Sequence, residues 1–300
     1  MDLFVTVVVF VIVLFLYLHV TAQFKKSEDM EIYEMDYKSN SQLNGICEQR
    51  QPVLFEFKSL HPDFFDKSEI NGDTINVTVK DRNDIETGDS ITLPFSGAET
   101  LIKTDPKSRF YSENNADLAN EFADKKMDEF LQPNFNVYTK YDIMFGSTGS
   151  RTPMRYHTNS RVFISVKTGK IQVKMTPWKS RKYLHPISDY DNFEFRSPID
   201  VWDPQPKYLH EADKVKFLEF DVNAGYILYV PAYWFYSIKY SNQPTQLREF
   251  TYCTVFNLAS NVPNYGMFFL QQNNIKKKVL NAVVSETDGE KEKEKDKVEL

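Results

Sequence analysis

The sequence predicts a mainly β protein with a few flanking helices and one N-terminal transmembrane helix. Aromatic residues make up 15% of the 300 residues and only 10 are glycine, which favours strands over a helical bundle. Strand-like segments separated by turn-rich joints follow Asp142, as in a sandwich or a barrel. A long apolar run without charge lies at the N-terminus and accounts for the predicted transmembrane helix.

The N-terminal apolar run extends from Leu3 to Val20. A helix of this length is just long enough to cross a bilayer core of about 30 Å. A cleavable signal peptide is the alternative, because Val20-Thr21-Ala22 is a small-residue ending, although the first residues lack the usual positive charge. We therefore expect residues 1–24 to be a membrane anchor or a signal, with removal of residues 1–22 left open.

The side of the membrane on which the rest of the chain lies is left open by the sequence. Lys25 and Lys26 follow the apolar run, so the positive-inside rule places the following domain in the cytosol. Asn76-Val77-Thr78 is a glycosylation sequon, and the tail Lys297–Leu300, KVEL, is similar to the K-D-E-L retrieval signal. These two features favour the lumen of the endoplasmic reticulum instead.

The remaining chain is divided into a polar spacer at residues 25–44, one domain at residues 45–284 and a charged tail at residues 285–300, which we expect to be disordered. Hydrophobic patterning predicts a helix at 115–131 that ends before Pro133, and a closing helix at 268–284. The stretch 177–214, rich in Pro, Asp and Tyr, is expected to be a long excursion. The predicted strands are 52–57, 73–80, 91–94, 142–146, 162–167, 170–175, 216–222, 226–231, 235–240 and 250–259.

Two segments stand out within the strand-rich region, namely Thr152–Lys170, TPMRYHTNSRVFISVKTGK, and Ala224–Tyr236, AGYILYVPAYWFY. Together they resemble the two metal-bearing halves of a JmjC or cupin-like hydroxylase domain. One half of that family's pattern is T-P-x-H-x-D followed thirteen residues later by Lys, and the other is P-G-D-x-L-Y-I-P-x-x-W-x-H. The resemblance covers roughly residues 45–262, and it implies a double-stranded β-helix (jelly-roll) preceded by a short helix at 41–50.

The resemblance also implies an Fe(II) site built from two His and one carboxylate, with 2-oxoglutarate as co-substrate. In this chain Arg155 and Tyr236 stand where the two His belong, and His157 stands where the carboxylate belongs. A guanidinium carries only donors and is always charged, so it cannot ligate a cation. We therefore expect no metal and no cofactor, and treat the three residues as a degenerate triad.

Lys170 and Thr152 match the family positions that hold the distal carboxylate of 2-oxoglutarate. If Arg155 and Lys170 both point into the barrel, the two cations need an anion beside them. This motivates the hypothesis that a small carboxylate binds there without iron. The alternative is that Arg155 is neutralised internally by Glu219 or Asp221, and that the interior is filled.

The function expected from these residues is that of a membrane-tethered pseudo-hydroxylase with a binding or scaffolding role. The alternatives are an Fe(II)/2-oxoglutarate-dependent protein hydroxylase or demethylase with an atypical site, and an inert structural membrane protein. A net charge of -6 without a basic face gives no reason to expect nucleic acid as a partner. Cys47 and Cys253 are expected to be buried free thiols rather than a disulfide framework.

Overall fold

The computed structural model describes residues 3–66, 70, 74–83, 90–122, 125–241 and 245–273. The predicted tail at residues 285–300, with its Lys297–Leu300 ending, lies outside these ranges. The described chain is mainly sheet with several short helices. The helices are α1 Leu3–Ala22, α2 Asn40–Cys47, α3 Pro62–Asp66, α4 Phe95–Thr104, α5 Ala116–Phe122, α6 Asp128–Leu131, α7 Arg181–Leu184, α8 Leu209–Ala212, α9 Val255–Ser260 and α10 262–273.

Helix α1 contains the predicted N-terminal apolar run. Residues 3–18 of α1 are exposed, and the helix is long and apolar enough to cross a membrane, a property that a signal sequence shares. Its C-terminal end touches the domain through aromatic contacts. The ring of Phe256 in α9 lies 5.8 Å from that of Phe15 and 4.8 Å from that of His19. The final turns of α1 are therefore seated against α9.

The larger sheet, sheet A, has nine strands and forms one side of the domain. Its strand order is β1-β2-β13-β8-β15-β6-β5-β3-β4. The strand pairings that extend over the most residues are antiparallel, and they join β15 to its neighbours β6 and β8. The strands are β1 Tyr33–Glu34, β2 Val53–Glu56, β3 Asn76–Asp81, β4 Ser90–Pro94, β5 Phe110–Ser112, β6 Asn136–Gly146, β8 Arg161–Thr168, β13 Tyr226–Val230 and β15 Thr245–Thr254.

The smaller sheet, sheet B, has six strands in the order β10-β11-β7-β14-β9-β12. All its pairings are antiparallel, and β9 pairs with both β12 and β14 over most of its length. The strands are β7 Arg155–Tyr156, β9 Lys170–Thr176, β10 Ile187–Asp189, β11 Glu194–Arg196, β12 Leu218–Asn223 and β14 Phe235–Tyr240.

The chain passes repeatedly from one sheet to the other. Strands β6, β8, β13 and β15 lie in sheet A, whereas β7, β9, β12 and β14 lie in sheet B. The main hydrophobic cluster contains side chains of both sheets, for example Ile164 and Leu228 from sheet A with Val173 and Ile238 from sheet B. Because each strand alternates its side chains between two faces, the inward residues of both sheets share one core.

Helices cover the outer face of sheet A. Leu43 and Cys47 of α2 and Leu131 of α6 pack on Phe163 and Phe250. A separate cluster holds α4 and α5 against β3 and β6. Cys47 and Cys253 are both buried and free, which confirms the expectation of two unpaired thiols. Burial raises the pKa of Cys47 to about 12, so its thiol stays protonated and unreactive.

The polar segment between α1 and α2 is fixed against the domain at several points. The Lys26 ammonium lies 4.2 Å from the ring centroid of Trp178, and Gln51 donates to Asp29 at 3.1 Å. Strand β1 within this segment pairs in parallel with β2. The residues expected to form a spacer therefore run along the surface of the domain.

Some elements differ from the prediction. The expected helix at 115–131 consists of α5, then a 3-10 turn at Lys125–Met127 and α6. The expected strand 250–259 is wrong beyond Thr254, because α9 begins at Val255, where the Thr254 side chain accepts a hydrogen bond from the Asn257 amide. A closing helix exists but covers 262–273, and residues 274–284 of the predicted helix lie outside the described chain.

Candidate functional site

The three positions expected to form a degenerate triad lie together. Arg155 is in β7 and pairs directly with Tyr236 of β14, while His157 follows β7. The Arg155 guanidinium carbon lies 5.4 Å from the centroid of the Tyr236 ring. The His157 and Tyr236 ring centroids are 6.3 Å apart. The three positions that the resemblance singled out are therefore brought together by the neighbouring strands β7 and β14.

A buried carboxylate occupies the space beside Arg155. The Arg155 Nη1 donates to Glu113 Oε1 at 2.7 Å. The Lys80 ammonium donates to the same oxygen at 3.1 Å and to Glu194 Oε1 at 2.6 Å. The side chains of these four residues are between 2% and 12% exposed. We call Lys80, Glu113, Arg155 and Glu194 the buried charge cluster.

Within this cluster, Glu113 and Lys80 are held in their charged forms by their neighbours. Burial alone raises the pKa of Glu113, but Arg155 and Lys80 outweigh it and lower that pKa to about 2. Burial likewise lowers the pKa of Lys80, but Glu113 and Glu194 leave it raised. At neutral pH the two cations therefore face two carboxylates. Arg196 extends this balanced arrangement by pairing with Glu194 at 3.3 Å and with Asp189 at 2.6 Å.

The charge cluster joins the two sheets. Lys80 is in β3 and Glu113 follows β5, both on the side of sheet A, whereas Arg155 in β7 and Glu194 in β11 belong to sheet B. Arg155 therefore reaches from sheet B to a carboxylate on the side of sheet A, and Lys80 binds one carboxylate on each side. Breaking a buried pair of this kind leaves a charge without compensation and is strongly destabilising.

His157 and Tyr236 are neutral and largely enclosed. Burial lowers the pKa of His157 to about 4, so the imidazole carries no charge at neutral pH. Its Nε2 lies 3.0 Å from the Val230 carbonyl oxygen, which can only accept, so Nε2 bears the proton. Burial also raises the pKa of Tyr236, which keeps its phenol protonated.

These residues do not fit Fe(II) and 2-oxoglutarate. A facial triad needs two imidazoles and one carboxylate with free lone pairs. Here Arg155 offers only donors and is held by Glu113, and Tyr236 keeps its proton, which leaves His157 as the one imidazole among the three positions. Across the described ranges, no group of three or more His, Cys, Asp or Glu is arranged to hold a metal ion.

Two further carboxylates face the same interior from sheet A. Asp142 in β6 and Glu249 in β15 are direct cross-strand partners. The Asp142 carboxylate accepts hydrogen bonds from the amides of Asn114 and Asn115, each at 2.7 Å. Burial, and secondarily the Glu249 charge, raises the pKa of Asp142 to about 7. This part of the interior therefore changes its charge near neutral pH.

Lys170 and Thr152 do not join the degenerate triad. Along β9 the side chains of Ile171, Val173 and Met175 are buried in the core, so Lys170 points away from it. The Lys170 side chain is 44% exposed, and its ammonium pairs with Asp221 at 2.6 Å. The expectation that Lys170 and Arg155 point into one interior is therefore wrong, and the anion-binding role of Lys170 stays a prediction.

Thr152 has a structural contact. Its hydroxyl oxygen accepts a hydrogen bond from the Ile238 amide at 3.0 Å, and its own amide donates to the Ile238 carbonyl at 2.8 Å. It thereby ties the segment before β7 to β14. Asn76, the glycosylation candidate, is exposed at the start of β3, and its role also stays a prediction.

The partners proposed for Arg155 from sequence were also wrong. Asp221 pairs with Lys170, and Glu219 lies 3.5 Å from Lys174, so neither reaches Arg155. The true partner, Glu113, follows a three-residue strand in the run Ser112–Asn115, which has no recognisable motif. Lys80 gave no signal either, because in the alternating strand 73–80 it falls on the polar side with Thr78, opposite Val77 and Val79.

Comparison of the chain with known proteins gives no identification. No family model matches it, and no curated protein matches it.

Proposed function

We propose that this chain is a membrane-tethered domain of the JmjC/cupin-like double-stranded β-helix type in which an internal ion pair takes the place of the metal. On this proposal the domain is a pseudo-hydroxylase that acts as a non-catalytic binding or scaffolding module, and α1 is its membrane anchor. On the same proposal, the buried charge cluster only holds the two sheets together, and the outer surface of the domain binds a partner.

The order of the strands supports this fold. Eight strands, β6 to β9 and β12 to β15, form two antiparallel four-stranded arrangements, β13-β8-β15-β6 and β7-β14-β9-β12. A jelly roll is built in this way, because its chain alternates between two facing sheets. Arg155, His157 and Tyr236 lie on or next to β7 and β14, the neighbouring strands that carry the corresponding positions in the family the sequence resembles.

The observation that carries the functional proposal is the 2.7 Å ion pair between Arg155 and Glu113. A positive charge at the expected ligand position repels a divalent cation, and a carboxylate already satisfies that charge. Because the two cations and two carboxylates of the buried charge cluster balance, the interior has no excess positive charge to attract a small carboxylate. We therefore place the binding role on the surface of the domain.

Iron content of the purified full-length chain in nanodiscs tests the proposal. After anaerobic incubation with Fe(II) and desalting, we expect no retained iron and no calorimetric heat with 2-oxoglutarate. One equivalent of iron per chain together with oxygen consumption that depends on 2-oxoglutarate would instead establish the atypical hydroxylase.

A restored triad provides the matched positive control. The triple variant Arg155→His, His157→Asp and Tyr236→His places the family's ligand types at the three positions. A fourth substitution, Glu113→Gln, is added because Glu113 loses the guanidinium of Arg155, and Lys80 keeps Glu194 as its partner at 2.6 Å. We expect this folded variant to retain iron. A variant that keeps its circular dichroism spectrum yet binds no iron would contradict the assignment of these positions.

A further inference from the structure

An exposed apolar surface lies beside the end of α1. It is formed by α9 and α10, which follow β15 and are separated by Asn261 alone. We call this surface the apolar helical face. Its side chains are between 43% and 64% exposed, and they are Val255, Leu258, Val262, Met267, Phe269 and Leu270.

The polarity of α9 is the reverse of that in a water-soluble amphipathic helix. Val255, Leu258 and Val262 recur at helical spacing on the exposed side. The side turned towards the protein carries Asn257 and Asn261, which are buried and donate to the Thr158 carbonyl oxygen at 2.8 and 3.1 Å. Exposed apolar side chains that are contiguous over two helices mark an interaction surface.

The position of α1 indicates what covers this face. Phe256, in the first turn of α9, contacts Phe15 and His19 of α1. Phe15 precedes Ala22, the last residue of α1, by seven residues, which corresponds to about 10 Å along a helix. If α1 crosses a bilayer, the start of α9 therefore lies at the depth of the boundary between headgroups and acyl chains.

The composition around the face fits this depth. The sequence from Val255 to Asn273 contains no Asp, Glu, Lys or Arg. Next to it, the Phe135 ring is 74% exposed and lies 6.4 Å from that of Phe256. Helices that lie in the membrane interface bury apolar and aromatic side chains about 5–10 Å into the boundary.

We propose that the apolar helical face lies in the interfacial layer of the same bilayer that α1 crosses, so that the domain is seated on the membrane by a second element. This inference rests on the membrane tether proposed above. The partner is the lipid surface itself, and the contact fixes the orientation of both sheets relative to the membrane.

Spin-label accessibility in nanodiscs tests the proposal with the full-length chain. Leu258→Cys and Phe269→Cys report on the face. Ile91→Cys is the control, because Ile91 is apolar and 51% exposed but lies on β4, the far edge strand of sheet A. The parent chain, whose two cysteines are buried, gives the background signal.

We expect the ratio of oxygen to nickel-chelate accessibility to be severalfold higher at positions 258 and 269 than at position 91. Nickel-chelate accessibility equal to that of the control would overturn the proposal. Low accessibility to both reagents, with strong spin–spin coupling between chains, would overturn it in favour of a second copy. Loss of co-elution of the chain with nanodiscs would instead show that the tether has failed.

Discussion

Arg155 and Glu113 are expected to stabilise the domain only as a pair. Arg155→Met leaves the buried Glu113 carboxylate with Lys80 as its remaining cation, at 3.1 Å. Loss of one partner of a buried ion pair costs about 3–5 kcal/mol. We expect a decrease of this order in the free energy of unfolding, measured by chemical denaturation of the full-length chain in mild detergent.

The double variant Arg155→Met and Glu113→Gln separates pairing from packing. Because it removes one charge of each sign and leaves Lys80 with Glu194, we expect it to be more stable than Arg155→Met alone. Simple addition of the two single losses would contradict the pairing argument. Lys103→Met is the surface control. It removes the exposed i,i+4 pair with Glu99 and is expected to cost about 0.5 kcal/mol or less.

His157 is expected to make the domain less stable as the pH falls. Its pKa is lowered from 6.5 to about 4 in the folded state, so the unfolded chain takes up the proton first. Its contribution to stability is therefore complete above pH 6.5 and is lost as the pH falls towards 4, by up to roughly 3 kcal/mol. Unfolding free energies of the wild type and of His157→Gln, which keeps a donor for Val230, measure this difference.

The comparison with His157→Gln is needed because other groups titrate in the same range. Asp142 has a raised pKa of about 7, so its effect has the opposite sign, and stability increases as the pH falls through 7. Glu113 has a lowered pKa of about 2, so its contribution is lost only under acidic conditions. Parallel pH profiles for the wild type and His157→Gln would show that His157 is solvated and not buried.

At the level of residues, the resemblance to the JmjC and cupin-like pattern implied that Arg155, His157 and Tyr236 meet, and they lie together. It did not predict Glu113, because a partner across the core is chosen by tertiary packing. The expectation for Lys170 failed for a different reason. A count of residues across the tight turn at Gly169 does not determine which face of β9 the next side chain occupies, and there Ile171 faces the core.

Among the elements, the turn between β12 and β13 depends on Gly225. Its φ is +98°, and a Cβ placed there would lie 2.9 Å from the Cβ of Lys58. The Gly225 carbonyl also accepts hydrogen bonds from the amides of Phe57 and Lys58, which joins the turn to the end of β2. We expect Gly225→Ala to cost about 1–3 kcal/mol in unfolding free energy.

Gly45→Ala is the matched control for this substitution. Gly45 lies within α2, and a Cβ there meets no atom within 4 Å. Alanine in a helix is expected to be neutral or stabilising by about 0.5–1 kcal/mol. Equal thermal midpoints for the two variants would show that the Gly225 turn tolerates a side chain.

Sequence patterns predicted the core strands of five to eight residues well, the two longest strands in part and the shortest ones poorly. Only 142–146 of β6 and 250–254 of β15 were predicted as strand. Strands β8, β9, β13 and β14 each carry several buried residues, so their hydrophobic signal is strong. Strands β5, β7, β10 and β11 have three residues or fewer, which is too short for alternation to be recognised. The end of β15 was extended too far because Val255 and Phe256 favour strands, although Thr254 provides a helix cap.

For the whole molecule, α1 is expected to make the chain an integral membrane protein. Val9→Arg together with Val11→Arg places two charges near the centre of α1, each costing about 2.5–3.5 kcal/mol for insertion. We expect the wild type to resist alkaline carbonate extraction and the double variant to be extracted. Thr21→Arg, at the end of the helix, is the control and should remain in the membrane. A wild-type chain whose measured mass corresponds to a first residue at Gln23 would identify α1 as a cleaved signal.

The attachment of residues 25–44 to the domain has a consequence for where partners can be met. A flexible linker of twenty residues has a root-mean-square span of about 25 Å and lets a domain search a hemisphere above its anchor. Here Lys26 is held at Trp178, Asp29 at Gln51 and β1 at β2. With α1 in a bilayer, the domain therefore cannot move far from the membrane surface. Its encounters are then governed by lateral diffusion, and a partner must present its own binding surface within the height of the domain above the lipid.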